Sequence, residues 1–396
     1  MKKIIALLGA VSLLLTVGAG CAKKETRGLT LYDRTGQTIC VAESAADLKK
    51  DDRWAFLEIA LTEAVKQLAT RWDVSRSDAE ERLFAEGYRI TTTFDPMAFD
   101  ALQSAMKTAE EGLSYGCALT NLQGDLLAVY SAGDANHAST AHEPYEAFAP
   151  LSVYAPAMDQ DLIHWSTIYP DASGAPITVS KGVADASQTV AEQCLQTVGD
   201  NSKFLSQLGL DRKMEGMTPV QLAGGYQIFA TGGQYTEPTT VKLITDETGT
   251  VVYVRQQETH QVITQETADV LNRMLQGAVQ PDGAAPKAKR TESETAGSAG
   301  RGETGSWFVG VTPGYSCAVW HSTSEGYLAD ALFGAVVGQL YGDGSTQSRS
   351  FITHKNLHQI AYCTVSGLSF SAGCSQIELG YYKQPDALPT CGACVK

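Results

Sequence analysis

Positive charge is scarce in this chain and nowhere concentrated. Lysine and arginine total 30 against 44 acidic residues, a formal net charge of −14 at pH 7, with no basic cluster beyond Lys287–Arg290. Phosphate backbones are gripped by concentrated basic footprints, so nucleic acid is excluded as a partner. Long apolar runs are equally rare. The run from Ile4 to Val17 covers 14 residues, short of the roughly 20 that a bilayer-spanning helix needs. Large apolar side chains almost vanish between Gly277 and Ser306, where Gly, Ala, Pro, Ser, Thr and charge predict an irregular loop. No repeat of solenoid period occurs.

What is present is ordinary globular composition, 43% apolar and 19% charged over 396 residues. That length predicts one large domain with small appendages. Lys2 and Lys3, the apolar run, and the small residues Gly18, Ala19 and Gly20 ahead of Cys21 have the layout of a cleaved export signal over 1–20. Cys21 resembles the lipidated cysteine of bacterial lipoproteins, although Gly18 stands where leucine is usual; a plain signal peptide with an incidental cysteine is the alternative. The expected location is therefore the outer face of a bacterial cytoplasmic membrane.

Of nine cysteines, Cys363, Cys374, Cys391 and Cys394 crowd the end of the chain. In an exported protein they predict disulfides or free thiols. Zinc is the rival; it is disfavoured because the Cys363 to Cys374 spacing lacks a paired CxxC knuckle. No cofactor or metal is expected.

Leu29 to Ile39 predicts a short strand pair turning at Thr35-Gly36, and Trp54 to Trp72 a helix with Leu57, Leu61, Ala64, Val65 and Leu68 on one face. Ser77 with Glu80 predicts the start of a second helix ending near Gly87. Tyr88 to Phe94 reads as extended, and Asp95-Pro96 as the start of a helix reaching about Gly112. Cys117 to Tyr130 predicts a hairpin turning at Gln123–Asp125. Three further helices start at Thr189 with Glu192, at Thr218-Pro219 with Gln221, and at Thr264. Strands resume from Trp307 to Trp320, and the irregular mixture implies an α+β fold.

Several of these segments resemble the transpeptidase region of class A penicillin-binding proteins. They are Leu31–Gly36, Tyr88–Pro96, the hairpin with Gly124, Thr218–Pro238, Trp307–Trp320, and the tail around Cys363, Ser366-Gly367, Cys391 and Cys394. The likeness spans roughly residues 29–396. It implies a penicillin-binding protein or serine β-lactamase-like fold, an antiparallel sheet flanked by helices. The expected divisions are a tether, linker strands and small helical module over 21–87, a transpeptidase-like domain over 88–342, and a cysteine-containing tail over 343–396. The family's glycosyltransferase domain needs far more chain ahead of the linker than Cys21 to Gly28 supply, so that activity is expected to be absent.

The family attacks a D-Ala-D-Ala amide with Ser-x-x-Lys, Ser-x-Asn and Lys-Thr-Gly motifs, which supply nucleophile, base and oxyanion donors. At the first position stands Pro144-Tyr-Glu-Ala-Phe-Ala-Pro150, with Glu146 for the serine and Ala149 for the lysine. At the second, Gly199-Asp-Asn-Ser202 keeps Asn201 but has Gly199 for the serine. At the third, Ala296-Gly-Ser-Ala-Gly300 has Ser298 and Ala299 before Gly300; Glu303-Thr-Gly305 is a second candidate that adjoins Trp307 too closely. A literal Ser104-Ala-Met-Lys107 lies within a helix and predicts an ordinary surface pair. Ser152 and Ser180-Lys181 lack a matched base. His137, His142 and Asp134 suggest a metal or general-base site less well than they suggest solvated loop residues, and Glu146 itself suits a helix N-terminus.

The expected protein is an inactive transpeptidase-like module that contacts peptidoglycan or wall-synthesis proteins and is held at the membrane by its N-terminus. An active, penicillin-acylated D,D-transpeptidase or carboxypeptidase and a non-acylating muropeptide or β-lactam sensor are the alternatives.

Overall fold

The computed structural model describes residues 27–109, 112–211, 216–323, 328–342, 349–352, 354 and 356–394. The expected export signal over 1–20 and Cys21 lie outside the described residues. No helix among them is long and apolar enough to cross a membrane.

The N-terminal part forms β1 (Leu29–Tyr32) and β2 (Thr38–Ala42), then α1 (Trp54–Trp72) and α2 (Arg76–Ala85). Helix α1 has the bounds the periodicity predicts and buries Phe56, Leu57, Ala60, Leu61, Ala64, Val65 and Leu68. Asp73 in the left-handed conformation ends it. Helix α2 is capped by Ser75, which accepts from the Asp78 amide, and not by Ser77 as the sequence pattern suggests. The chain reversal at Asp73 lets the earlier serine meet the third amide, leaving Ser77 inside the first turn.

β3 (Arg89–Thr92) leads into α3 (Pro96–Met106), where the Asp95 carboxylate accepts from the Met97 and Ala98 amides. The helix stops at Met106, earlier than Gly112. The Thr108 hydroxyl takes the Ala105 carbonyl, an acceptor that another turn would have used. β4 (Tyr115–Asn121) and β5 (Leu126–Ala132) follow as the expected hairpin. Then come α4 (Ala155–Asp159), α5 (Gln188–Val198) and α6 (Pro219–Tyr226). Ser187, not Thr189, caps α5, while Thr218 and Gln221 close both halves of the capping box on α6. β6 (Val241–Thr245), β7 (Val251–Val254) and α7 (Gln265–Ala278, capped by Thr264) complete this part.

β8 (Ala296–Gly302), β9 (Gly305–Val311) and β10 (Tyr315–His321) precede α8 (Leu328–Leu340), and the tail contributes β11 (His358–Cys363) and β12 (Ile377–Tyr382). β8 overturns the expectation of an irregular loop up to Ser306. Its ladder with β9 needs only backbone, and its small residues answer to a segment that crosses it closely: a Cβ on Gly300 would lie 2.4 Å from the Pro144 oxygen.

One five-stranded sheet has the order β8-β9-β10-β4-β5, antiparallel throughout; the other has β7-β6-β3-β1-β2, with β1 and β3 parallel. β9 is buried along its whole length, so both faces of the larger sheet are covered. Strand alternation divides them. Phe308 meets Phe333 of α8 edge-on, with ring centres 4.7 Å apart, whereas Trp307 points to the opposite face. One core cluster runs from Leu29 to Tyr341, and a small second one joins Tyr362, Tyr382 and Leu388 in the tail.

Candidate functional site

The segment aligned with the first motif crosses the edge strand β8. Tyr145–Phe148 makes one 3₁₀ turn, Pro150–Tyr154 a wider π turn, and α4 follows directly. Tyr145 sits at φ 48°, a conformation costly for a side chain with a Cβ unless its surroundings impose it. They do so here. Its hydroxyl pairs with the Thr304 hydroxyl at 2.9 Å and accepts from the Thr304 amide at 3.2 Å, and its ring fills the space over Gly302 where any Cβ would collide. Trp307 Nε1 donates to the Glu143 carbonyl at 2.7 Å, and the Tyr226 hydroxyl donates to the Ala147 carbonyl at 2.6 Å. Burial pushes the Tyr226 phenol far above its usual range, so it acts only as a neutral donor.

Glu146 is held between these anchors. Its carboxylate accepts from the Arg301 amide at 3.4 Å, and its carbonyl lies 3.5 Å from the Ser298 hydroxyl. Ala149, three residues on, is buried. Ser298 and Gly300 lie on the same face of β8 because they pair with Val309 and Trp307; Ala299 pairs with Phe308 on the other face. Gly199 ends α5 at φ 70°. Asn201 is buried, its amide nitrogen donating to the Ser152 carbonyl while its Oδ1 has no partner among the described residues. The three aligned segments thus converge, Glu146 on Ser298 and Gly300, and Asn201 on the turn that follows Ala149.

Beside them opens a groove of about 620 Å³, lined among others by Glu143, Glu146, Ala149, Ser152, Glu192, Arg301 and Glu303. Four carboxylates and one guanidinium face it, and none of its lining residues is a lysine. The Ser152 hydroxyl donates to the Phe148 carbonyl at 2.9 Å. The groove can offer backbone groups of β8 to a ligand, and the Arg301 side chain lines it.

The other sequence candidates fall elsewhere. Ser104 and Lys107 are exposed at the end of α3, where Lys107 bonds Gln103. Lys181, next to Ser180, pairs with Asp185 at 2.8 Å and Asp282 at 3.7 Å. His137 and His142 are not solvated loop residues. His142 stacks on Trp320 with ring centres 3.5 Å apart and planes 9° apart, His137 packs 5.1 Å from the same indole, and Asp134 is 3.3 Å from His137. Burial, helped by nearby His137, lowers the His142 pKa to about 4. Tyr145, Tyr226, Arg301 and Trp307 carry the geometry and were not singled out from sequence. Tyr226 and Trp307 lie inside segments that the resemblance covers, and Arg301 directly follows Ala296–Gly300.

Residues 206–337 match the penicillin binding protein transpeptidase domain family. Penicillin-binding protein 1A of Clostridium botulinum (strain Langeland) is 25% identical over 280 residues, 59% of this chain and 33% of that protein. Penicillin-binding protein 1F of Bacillus subtilis is 23% identical over 322 residues, 69% of this chain and 44% of that protein. The chain therefore spans between a third and a half of the length of these relatives. Among solved structures, penicillin binding protein 3 of Mycobacterium tuberculosis superimposes with a TM-score of 0.60 at 16% identity, covering 79% of this chain and 95% of that one. The D,D-transpeptidase domain of a peptidoglycan glycosyltransferase from Eggerthella lenta does so with the same score and identity, covering 79% and 97%. Residues 206–337 thus match a penicillin binding protein transpeptidase domain, and the chain shares the α+β fold of solved transpeptidase domains.

Proposed function

We propose that this protein is a catalytically silent member of its family that binds a peptidoglycan peptide, or a wall-synthesis protein, in the groove between the Tyr145–Phe148 turn and β8. The reading rests on a groove lined by Glu146, Ala149 and no lysine, Glu146 and Ala149 being the residues that the resemblance aligns with nucleophile and base. A carboxylate there is not an activated hydroxyl nucleophile, and an alanine cannot take a proton. Binding at the outer membrane face, through the export signal and Cys21, belongs to the same proposal.

Arg301 is the groove's cation and pairs naturally with a peptide carboxylate. Titrating the protein with a D-Ala-D-Ala-terminated pentapeptide, alongside sedimentation with purified cell-wall sacculi, tests the reading. Saturable, reversible binding is expected, and Arg301→Ala weakens the peptide about tenfold, the scale of one charge-assisted bond. Release of free D-alanine, or no association with peptide, sacculi or any wall-synthesis protein, would contradict it. The opposing reading, an active serine acyltransferase, finds its one support in the Ser152 hydroxyl, which borders the groove.

A further inference from the structure

The tail holds a constellation that the transpeptidase-like groove does not use. The Sγ atoms of Cys363, Cys374, Cys391 and Cys394 all lie within 4.8 Å of one another. The Cys363 and Cys394 sulfurs are 3.6 Å apart, and all four cysteines are free. Four sulfurs placed about 2.3 Å from a central zinc ion form a tetrahedron with edges of about 3.8 Å, whereas a disulfide brings two sulfurs to about 2.05 Å. The cluster has the dimensions of the first arrangement.

Three separate pieces of backbone build it. Cys363 closes β11 and opens a tight turn in which the Gly367 amide returns to the Cys363 carbonyl at 2.8 Å, with Gly367 at φ 71°. Cys374 ends a second turn, where the Ser371 amide donates to the Cys374 sulfur at 3.3 Å. The Cys391 amide bonds the Ser369 carbonyl at 2.7 Å, which brings Cys391-Gly-Ala-Cys394, a CxxC pair, against the first two. The Ser366 hydroxyl donates to the Cys391 sulfur at 3.1 Å. Donors aimed at sulfur are the outer-shell partners that metal-bound thiolates require.

The tail also needs a staple. Its own buried apolar cluster consists of Tyr362, Tyr382 and Leu388, a small core that a metal or disulfides would reinforce.

We infer that Cys363, Cys374, Cys391 and Cys394 form a structural site for a single thiophilic divalent cation, zinc by its preference for four thiolates in a closed tetrahedron. Each thiol gives up its proton to solvent as its sulfur binds, and the metal keeps its oxidation state. The site fixes the tail against the main body. The Gly367 carbonyl accepts from the Ser166 hydroxyl at 2.6 Å, and that hydroxyl accepts from Tyr382 at 2.7 Å. Lys383 reaches the Met158 carbonyl at 2.9 Å and Asp161 at 2.6 Å. Met158 lies in α4, the helix that continues the Tyr145–Tyr154 turns, so the metal braces one wall of the groove from behind.

Metal content, thiol titration and peptide mapping of the purified full chain test the site. One zinc per chain is expected, released when a mercurial blocks the thiols. Cys363→Ser and Cys391→Ser lose the metal, Cys374→His keeps it, and Cys40→Ser leaves it unchanged. Should a serine variant fail to fold, replacement of zinc by cobalt in the unaltered chain supplies a second readout, the visible absorption of a tetrahedral cobalt thiolate. A chain without metal whose four cysteines map as two disulfides overturns the inference, as does metal that survives both serine substitutions or cobalt that gives no thiolate band.

Discussion

At the scale of single residues, the candidate site is a set of anchors that fix one turn over one strand. The Tyr226 hydroxyl satisfies the Ala147 carbonyl in a fully buried position. Tyr226→Phe leaves that acceptor unpaired, and a loss of about 1–3 kcal/mol in urea unfolding is expected. A change under a few tenths would mean that the anchor is dispensable. Gly300 has no room for a methyl group, since its Cβ would sit 2.4 Å from the Pro144 oxygen and 2.8 Å from the Ala147 nitrogen. Gly300→Ala should cost roughly 1–3 kcal/mol and shift the turn. Buried histidines add a pH dependence. The pKa values of His142 and His321 are both lowered from 6.5 to about 4, chiefly by burial. The fold therefore prefers them neutral, and their contribution is intact above pH 6.5 and lost as pH falls toward about 4. Unfolding midpoints should drop across that window, and His142→Phe should flatten the drop. A midpoint that holds steady from pH 6.5 to 4 would contradict this.

At the scale of elements, interiors were legible, whereas some starts and ends were not. Trp54–Trp72 could be read because nine buried positions recur at helical spacing, and α6 because Thr218, Pro219 and Gln221 are fixed by cap chemistry. Thr218→Ala should cost about 1 kcal/mol, measurable by thermal unfolding. Ser75 and Ser187 were missed because several capping residues stand side by side and only the chain's direction into the helix chooses between them. β8 was missed for a different reason. A strand of Gly, Ala and Ser carries no alternation to read, and its smallness is explained only by Pro144 and Ala147 crossing above it. The burial of His137 and His142 was likewise invisible, since it depends on Trp320 from a strand far along the chain.

At the scale of the whole molecule, the larger sheet and its covering helices bring together the Tyr145–Phe148 turn, β8 and the residues after α5 that the resemblance aligns with motifs. Segment order and glycine, aromatic and proline placement sufficed to predict the α+β architecture. The acidic groove, with Glu143, Glu192 and Glu303 beside Glu146, emerged only from the folded chain. Under the proposed function this groove is not acylated by penicillin. The most direct measurement is the intact mass of the purified, folded protein after incubation with excess penicillin, followed by peptide mapping. An unchanged mass is expected. A single penicilloyl adduct on a serine, Ser152 foremost, would contradict the proposed function and mark the protein as an active acyltransferase.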